Sequence, residues 1–159
     1  MLQQISTAKE RWGGVSEVID RWLNERQELL VRFCSIDGLE EFQSTPASIT
    51  SKIQSFCDIL IDYVSAGHFE VYEKLLKQAA EYNGDGKALY DKLYPQLEEN
   101  TQQNLDFADK YATEELCRKN RASLNSDLSN LGEALENRFQ LEDQLIEQLH
   151  EAHREKLPE

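Results

Sequence analysis

The sequence predicts an all-α fold, specifically an antiparallel four-helix bundle with additional short helices. Only 7 glycines and 3 prolines occur in the 159 residues, so the chain has few places to turn sharply and many residues that favour helix. Apolar residues also recur at helical spacing along several long segments. A chain of this length typically builds one core, and we therefore expect residues 1–159 to form a single helical-bundle domain.

Three helices are expected in the first half of the chain. The first should run from about Ser16 to Cys34, with Arg26 at one inward position of its apolar stripe. Pro46 is well placed as the first residue of the second helix, which should end at a break of small residues at 65–67. A third helix should follow and end near Tyr82. The inward stripe of the second helix comprises Ile49, Ile53, Phe56, Leu60, Tyr63 and Val64.

The second half begins with a turn signal at Asn83–Gly86. The short amphipathic helix after it is expected to stop at Pro95, because proline removes a backbone donor and disfavours helix in the residue before it. From Ser123 onward, apolar residues alternate steps of four and three, which indicates the seam of a bundle helix. The seam positions are Leu124, Leu128, Leu131, Leu135, Arg138, Glu142, Leu145 and Leu149.

The charge balance bears on the class of partner. Thirty acidic against 17 basic residues give a formal charge of −13, a field that repels phosphate backbones and attracts basic protein surfaces. Direct binding to nucleic acid is therefore not expected. The alternative interpretation is that the acidity only keeps a helical surface soluble.

The cysteines and the hydropathy bear on the compartment. Cys34, Cys57 and Cys117 are odd in number and widely spaced, so they indicate reduced thiols rather than disulfides or a zinc site. The sequence shows neither a signal-peptide pattern nor a run of the roughly 20 apolar residues that a membrane span needs. We expect a cytoplasmic protein that does not contact a membrane.

Two charged residues stand where the bundle seam should be apolar. Arg138 and Glu142 are four residues apart, so their side chains can meet on one helix face. One interpretation is a slightly rotated helix with Phe139 and Ile146 inward and the charges at the rim. The other is a polar cluster at one end of the bundle, since buried charges must be paired. Candidates for the same cluster are Asp20, Arg21 and the segment Asp62–Glu70.

Metal binding and catalysis are both disfavoured by the motifs. Helical bundles hold di-iron sites with repeated Glu-x-x-His pairs, which this chain lacks. The possible ligands are His68, Glu70, Glu142 and Asp143, with His150 and His153 in a charged C-terminal end. Ser65 near His68 is a weak nucleophile–base pairing, and no catalytic fingerprint motif is present. We expect no cofactor, no metal and no enzymatic activity.

A set of motifs runs in order along nearly the whole chain, and the segment Asp62–Phe69 is the longest of them. The motifs are Glu10–Gly14, Asp20–Leu23, Glu25–Arg26, Asp62–Glu70, Tyr72–Glu73, Tyr94–Glu98, Asn100–Gln102, Leu131–Leu135, Arg138–Phe139 and Leu141–Asp143. They resemble those of the Rsd/AlgQ family, the regulators of the primary sigma factor of bacterial RNA polymerase.

The resemblance implies an anti-sigma factor that binds the primary sigma factor, chiefly its C-terminal DNA-reading domain, region four. That partner surface is a basic helix-turn-helix, which agrees in sign with the acidity of this chain. The resemblance implies that Trp22, Phe56, Leu135 and Leu145 are core residues. It places partner binding on Asp20, Leu23, Asp62, Ser65, His68, Phe69, Tyr72, Arg138, Glu142 and Asp143.

Two alternatives stand beside this interpretation. One is a helical bundle that binds a metal or a small ligand through His68, Glu142 and their neighbours. The other is an adaptor for a different basic regulatory partner, of the phosphocarrier or stringent-response kind. Whether the polar cluster binds a partner or only fixes the helix register is left open by the sequence.

Overall fold

The computed structural model describes residues 17–37, 46–67, 71–73, 77 and 85–156. These ranges are almost entirely helical and contain no strand, which confirms the predicted all-α class. Their α-helices are α1 (Glu17–Asp37), α2 (Pro46–Ala66), α3 (Asp85–Lys110), α4 (Glu114–Lys119) and α5 (Leu124–Lys156). A 3₁₀ turn at Arg121–Ser123 leads into α5.

Most predicted helix boundaries agree with the structure. The second helix begins at Pro46, and the first extends about one turn beyond the expected end, to Asp37. Residues 71–73 and Lys77 are helical, but most of the predicted third helix lies outside the described residues.

The expected stop at Pro95 was wrong, because α3 runs through this proline from Asp85 to Lys110. The predicted turn was also partly wrong, since Asp85 and Gly86 belong to the first turn of α3. Pro95 lies on the exposed side of the helix. Because proline has no backbone N–H, the carbonyl of Asp91 receives no helical hydrogen bond from residue 95. That carbonyl can bind water on this exposed side, so the proline destabilises the helix less than it would in the core.

The long helices pack as antiparallel neighbours. Arg26 of α1 bonds to Tyr63, whereas Arg32, further along α1, bonds to the earlier residue Ser55 of α2. Asn100 of α3 likewise bonds to Ala134 of α5, whereas Lys110 pairs with Asp127. The rings of Phe56 and Phe107 join α2 to α3, with centroids 6.0 Å apart. One continuous core therefore lies between α1, α2, α3 and α5.

The core contains the residues that the apolar stripes predicted. All six stripe positions of the second helix are buried, and so are the seam positions of α5 from Leu124 to Leu145. Trp22, Phe56, Leu135 and Leu145 are buried, as expected. All three cysteines are free, and burial raises the pKa of the Cys57 thiol to about 12. None of the described helices is long and apolar enough to cross a membrane.

The short helix α4 closes the connection between α3 and α5. Thr113 caps it by accepting a hydrogen bond from the backbone N–H of Leu116 at 3.1 Å. Cys117 is buried and donates its thiol hydrogen to the carbonyl of Tyr111 at 3.3 Å. Cys117 shares a cavity lining with Thr50 and Ile53, so the connection lies beside the start of α2, at the other end of this helix from Gly67.

Candidate functional site

The two charged seam residues of α5 are fully buried. Arg138 and Glu142 each have 0% of their surface exposed, and Arg26 of α1 is also 0% exposed. Phe139 and Ile146 are buried as well, because α5 packs against neighbours on more than one side. The interpretation that placed the charges at the rim of the bundle is therefore wrong, and a buried polar network is present instead.

The carboxylate of Glu142 is the centre of this network. Its Oε1 accepts hydrogen bonds from the hydroxyl of Tyr63 at 2.6 Å and from Nη2 of Arg26 at 3.3 Å. Its Oε2 accepts from the hydroxyl of Tyr72 at 2.5 Å and from Nε of Arg138 at 3.1 Å. A buried carboxylate is tolerated only when its lone pairs are satisfied, and here four donors supplied by α1, α2, α5 and the segment after α2 satisfy them.

Arg26 links Glu142 to the surface. Its Nε donates to the hydroxyl of Tyr63 at 3.0 Å, and its Nη1 donates to Oδ1 of Asp143 at 2.7 Å. Burial opposes the positive charge, but Tyr63, Glu142 and Asp143 together raise the pKa of Arg26 above its ordinary value. The guanidinium therefore stays charged. The side chain of Asp143 is 24% exposed and forms the outer edge of the network.

Arg138 connects the same carboxylate to α3. Its Nη1 donates to the hydroxyl of Thr101 at 2.8 Å and lies 3.4 Å from Oδ1 of Asn100. Asn100 in turn donates to the backbone carbonyl of Ala134 at 2.7 Å. The formal charges of Arg26, Arg138, Glu142 and Asp143 cancel, so the network is neutral as far as the described residues form it. Neutrality is what allows it to lie inside an apolar core.

Aromatic rings enclose the network. The ring of Trp22 stacks on that of Tyr63 with centroids 5.4 Å apart and meets Tyr72 edge-on at 6.1 Å. The guanidinium carbon of Arg26 lies 5.3 Å from the centroid of Trp22 and 4.7 Å from that of Phe139. These contacts exclude water and add a cation–π attraction to the ion pairs.

Tyr63 and Tyr72 act as hydrogen-bond donors to Glu142. Burial, followed by the nearby carboxylate, raises the pKa of Tyr72 well above its ordinary value, and burial does the same for Tyr63. Both hydroxyls therefore keep their protons over the physiological range. Deprotonating either one would place two negative charges in contact inside the core.

The predicted break at 65–67 was wrong for these residues, because Ser65 and Ala66 belong to α2 and Gly67 continues it as a π-helical residue that lies against this network. A Cβ atom at this position would lie 3.3 Å from the hydroxyl oxygen of Tyr72 and 3.4 Å from Nη2 of Arg138. A side chain here would therefore require the Tyr72 hydroxyl to shift by a few tenths of an ångström. The glycine of the Asp62–Glu70 motif therefore allows the chain to pass close to the polar groups.

The structure places the predicted site residues in three settings. Tyr72, Arg138, Glu142 and Asp143 meet in the network, and Leu23 is buried in the core. Asp20 and Ser65 are half-buried, whereas Asp62 is exposed and is not among the hydrogen-bonding partners of the network. His68 and Phe69 lie outside the described residues.

Two features of the site were missed by the sequence analysis. Tyr63 was considered only as an apolar stripe residue and as part of the segment Asp62–Glu70, not as a site residue by itself, although its hydroxyl bonds to both Arg26 and Glu142. Ile61 was not selected, although it is 40% exposed beside Asp62. Arg26 inside the apolar stripe of the first helix indicated that a buried polar partner such as Tyr63 was needed. The position of Ile61 off the apolar stripe of the second helix indicated that it is exposed.

The exposed side of α2 forms a continuous surface, which we call the outer face of α2. It comprises Asp58, Ile61 and Asp62, with Ser65 half-buried at its end. The spacing of three and four residues places all of them on one side of the helix. This face offers carboxylates next to an exposed apolar side chain.

The described part of the chain holds no group of three or more histidine, cysteine, aspartate or glutamate side chains that could bind a metal ion. The oxygens of Glu142 already accept bonds from two arginines and two tyrosines. His68, Glu70, His150 and His153, the other candidates from the sequence, lie where the side chains are not described.

Replacing Glu142 with glutamine should destabilise the protein strongly. The Glu142→Gln side chain keeps the size but removes the charge, so Arg26 would keep only its ion pair with Asp143 and Arg138 would lose the ion pair with Glu142. Breaking a buried ion pair in this way costs about 3–5 kcal/mol. Urea unfolding should show this loss, whereas Glu136→Gln, at an exposed position of the same helix, should change stability by less than about 0.5 kcal/mol. Equal stabilities of the two variants would contradict the central role of Glu142.

Alkaline pH should destabilise the fold through Tyr63 and Tyr72. Their pKa values in the folded protein lie above those in the unfolded chain, which are about 10. Their contribution is thus complete below pH of about 10, and it falls above that pH by about 1.4 kcal/mol per pH unit for each tyrosine, until the folded-state pKa is reached. Denaturant unfolding across this pH range measures the loss of stability. The Tyr72→Phe variant keeps only one of the two tyrosines, so its stability should fall less per pH unit. Ionisation of every tyrosine in the folded protein with a pKa near 10 would contradict the assignment.

Comparison with known proteins agrees with the motifs. The chain matches the family described as "Regulator of RNA polymerase sigma(70) subunit, Rsd/AlgQ" over residues 1–150. A Regulator of sigma D from Yersinia enterocolitica serotype O:8 / biotype 1B is 38% identical over 148 residues, which cover 92% of this chain and 89% of the relative. The protein of the same name from Enterobacter sp. (strain 638) is 40% identical over 147 residues, covering 92% and 88%. The resemblance seen in the motifs is thus confirmed, and the chain belongs to the Rsd/AlgQ family of regulators of the RNA polymerase sigma(70) subunit.

Proposed function

We propose that this protein is an anti-sigma factor, which regulates transcription by binding the primary sigma factor of bacterial RNA polymerase, chiefly through region four. Membership in the Rsd/AlgQ family and relatives named Regulator of sigma D support a sigma factor as the partner. The structural observation that carries the proposal is the outer face of α2, where Ile61 is exposed between Asp58 and Asp62. The protein acts by binding in the cytoplasm, without catalysis.

The proposed scaffold is one domain over residues 1–159, with α1, α2, α3 and α5 as an antiparallel four-helix bundle. The antiparallel pairing of α1 with α2 and of α3 with α5 supports this arrangement, as does the contact of Phe56 with Phe107. The polar network supports it further, because Glu142 and its arginines join all four helices. A rigid scaffold of this kind holds an interaction surface in its binding geometry.

Charged and apolar side chains have different roles in the proposed recognition of sigma. Region four reads DNA through a basic helix-turn-helix, whose Lys and Arg side chains meet phosphates. On the outer face of α2, Asp58 and Asp62 can accept hydrogen bonds from such cations, while Ile61 provides an apolar anchor. The net charge of −13 accelerates encounter with a basic partner and repels nucleic acid. Occupying the helix-turn-helix prevents sigma from reading promoter DNA.

The other predicted site residues take supporting roles in this proposal. Tyr72, Arg138 and Glu142 position the end of α2 from within, because Glu142 accepts hydrogen bonds from Tyr63 and Tyr72, and Tyr72 and Arg138 lie against Gly67. Asp20 and Asp143 are half-buried, so part of each carboxylate can still be reached by a partner. His68 and Phe69 follow directly after the outer face in the chain, and their part in binding rests on the family resemblance.

Replacing Asp62 with alanine should weaken binding to sigma region four and leave the fold intact. Asp62 is exposed and lies outside the buried network, so the substitution removes a surface carboxylate without disturbing the core. We expect Kd to rise about tenfold, which would place Asp62 among the minority of interface residues whose truncation costs more than about 1 kcal/mol. Calorimetric titration of the Asp62→Ala protein, together with a thermal melt, measures both effects.

The matched control is Asp109→Ala, which removes an exposed carboxylate from α3 instead. It should bind sigma with nearly unchanged affinity. If the folded Asp62→Ala protein binds as tightly as the unmodified chain, the outer face of α2 is not the sigma-binding surface.

A further inference from the structure

A concave surface lies between α3 and α5. It is separate from the outer face of α2. This α3/α5 groove has a volume of about 640 Å³ and is open to solvent along one side. Its floor is apolar and consists of Phe107, Leu131 and Ala134. The first two are core residues that are nearly fully buried, so the floor is rigid.

The walls of the groove are acidic. Asp106 of α3 and Glu133 of α5 line it, and both are exposed. The carboxylate of Asp106 is held by a hydrogen bond from the amide of Gln102 at 2.8 Å. The lining cation Lys110 is neutralised by Asp127, whose carboxylate lies 2.7 Å from its Nζ. Two carboxylates on opposite walls are thus left to interact with a ligand.

The remaining wall residues favour a polypeptide over a simple ion. Gln103, Asn130 and Asn137 carry amides that both donate and accept hydrogen bonds. An apolar floor within a polar rim is the usual anatomy of a protein interface. Because the groove is open, a small cation in it would stay in contact with water and would be held weakly. A helix would instead cover the floor and exclude water.

We propose that the α3/α5 groove is a second docking surface, which binds a basic amphipathic helix of a partner protein. The lining of α5 extends from Asp127 to Asn137, which is about 15 Å at 1.5 Å per residue and matches roughly three turns of a bound helix. The apolar side of that helix packs on Ala134, which is half-buried, and on the small part of Phe107 and Leu131 that reaches the groove. Its Lys or Arg side chains lie between Asp106 and Glu133.

The test uses a fluorescently labelled synthetic helix of about 14 residues, with leucine along one side and lysine along the other. Fluorescence anisotropy at an ionic strength of about 0.15 M gives its affinity. The groove variant Asp106→Asn/Glu133→Gln should bind it about tenfold more weakly than the unmodified chain does. The control variant Asp109→Asn/Glu136→Gln loses the same charge from exposed positions of the same two helices and should bind within about twofold of the unmodified chain.

Each other outcome overturns the proposal. Equal weakening in both variants would mean that only the overall negative field attracts the peptide. Absence of binding to the unmodified chain would mean that the groove takes no such helix. Displacement of the peptide by spermidine at similar concentration would assign the groove to small cations. Sigma region four should bind the groove variant normally, and the peptide should bind Asp62→Ala normally, so this proposal and the proposed function can fail separately.

Discussion

The carboxylate of Glu142 is the constraint on which the arrangement of this protein depends. A charge with no exposed surface in an apolar core is tolerated only if donors surround it, and the four that do so come from several helices. Satisfying one carboxylate therefore fixes α1, α2 and α5 relative to one another. Arg138 extends the constraint to α3 through Thr101. Apolar packing alone would allow helices to slide or rotate, whereas this network specifies one register.

Much of the fold could be predicted from local chemistry. The apolar periodicity of α2 and α5 identified core residues that the structure buries, including Phe56 and Leu135. A helix removes such a stripe from water by packing it against neighbouring helices. Pro46 marked a helix start correctly. Pro95 did not mark an end, because the cost of proline in a helix depends on whether the freed carbonyl reaches solvent, and the sequence does not reveal that.

The candidate site was less predictable, since it depends on contacts between residues distant in the chain. The spacing of Arg138 and Glu142 indicated that they could pair, but two interpretations remained until burial separated them. The partners Arg26 and Tyr63 are 116 and 79 residues from Glu142 in sequence, so no local pattern links them to it. Sequence likewise could not distinguish a buried positioning residue such as Tyr72 from a surface residue such as Asp62, which lies ten positions earlier in the chain.

The central claim is that the buried network holds α2 so that its outer face meets the sigma factor. Methyl NMR of isoleucine-labelled protein tests it most directly, because Ile61 is exposed on that face whereas Ile53 and Ile146 are buried. On addition of sigma region four, the Ile61 methyl signal should shift or broaden strongly, and the signals of Ile53 and Ile146 should change little. An unchanged Ile61 signal in a saturated complex would contradict the account.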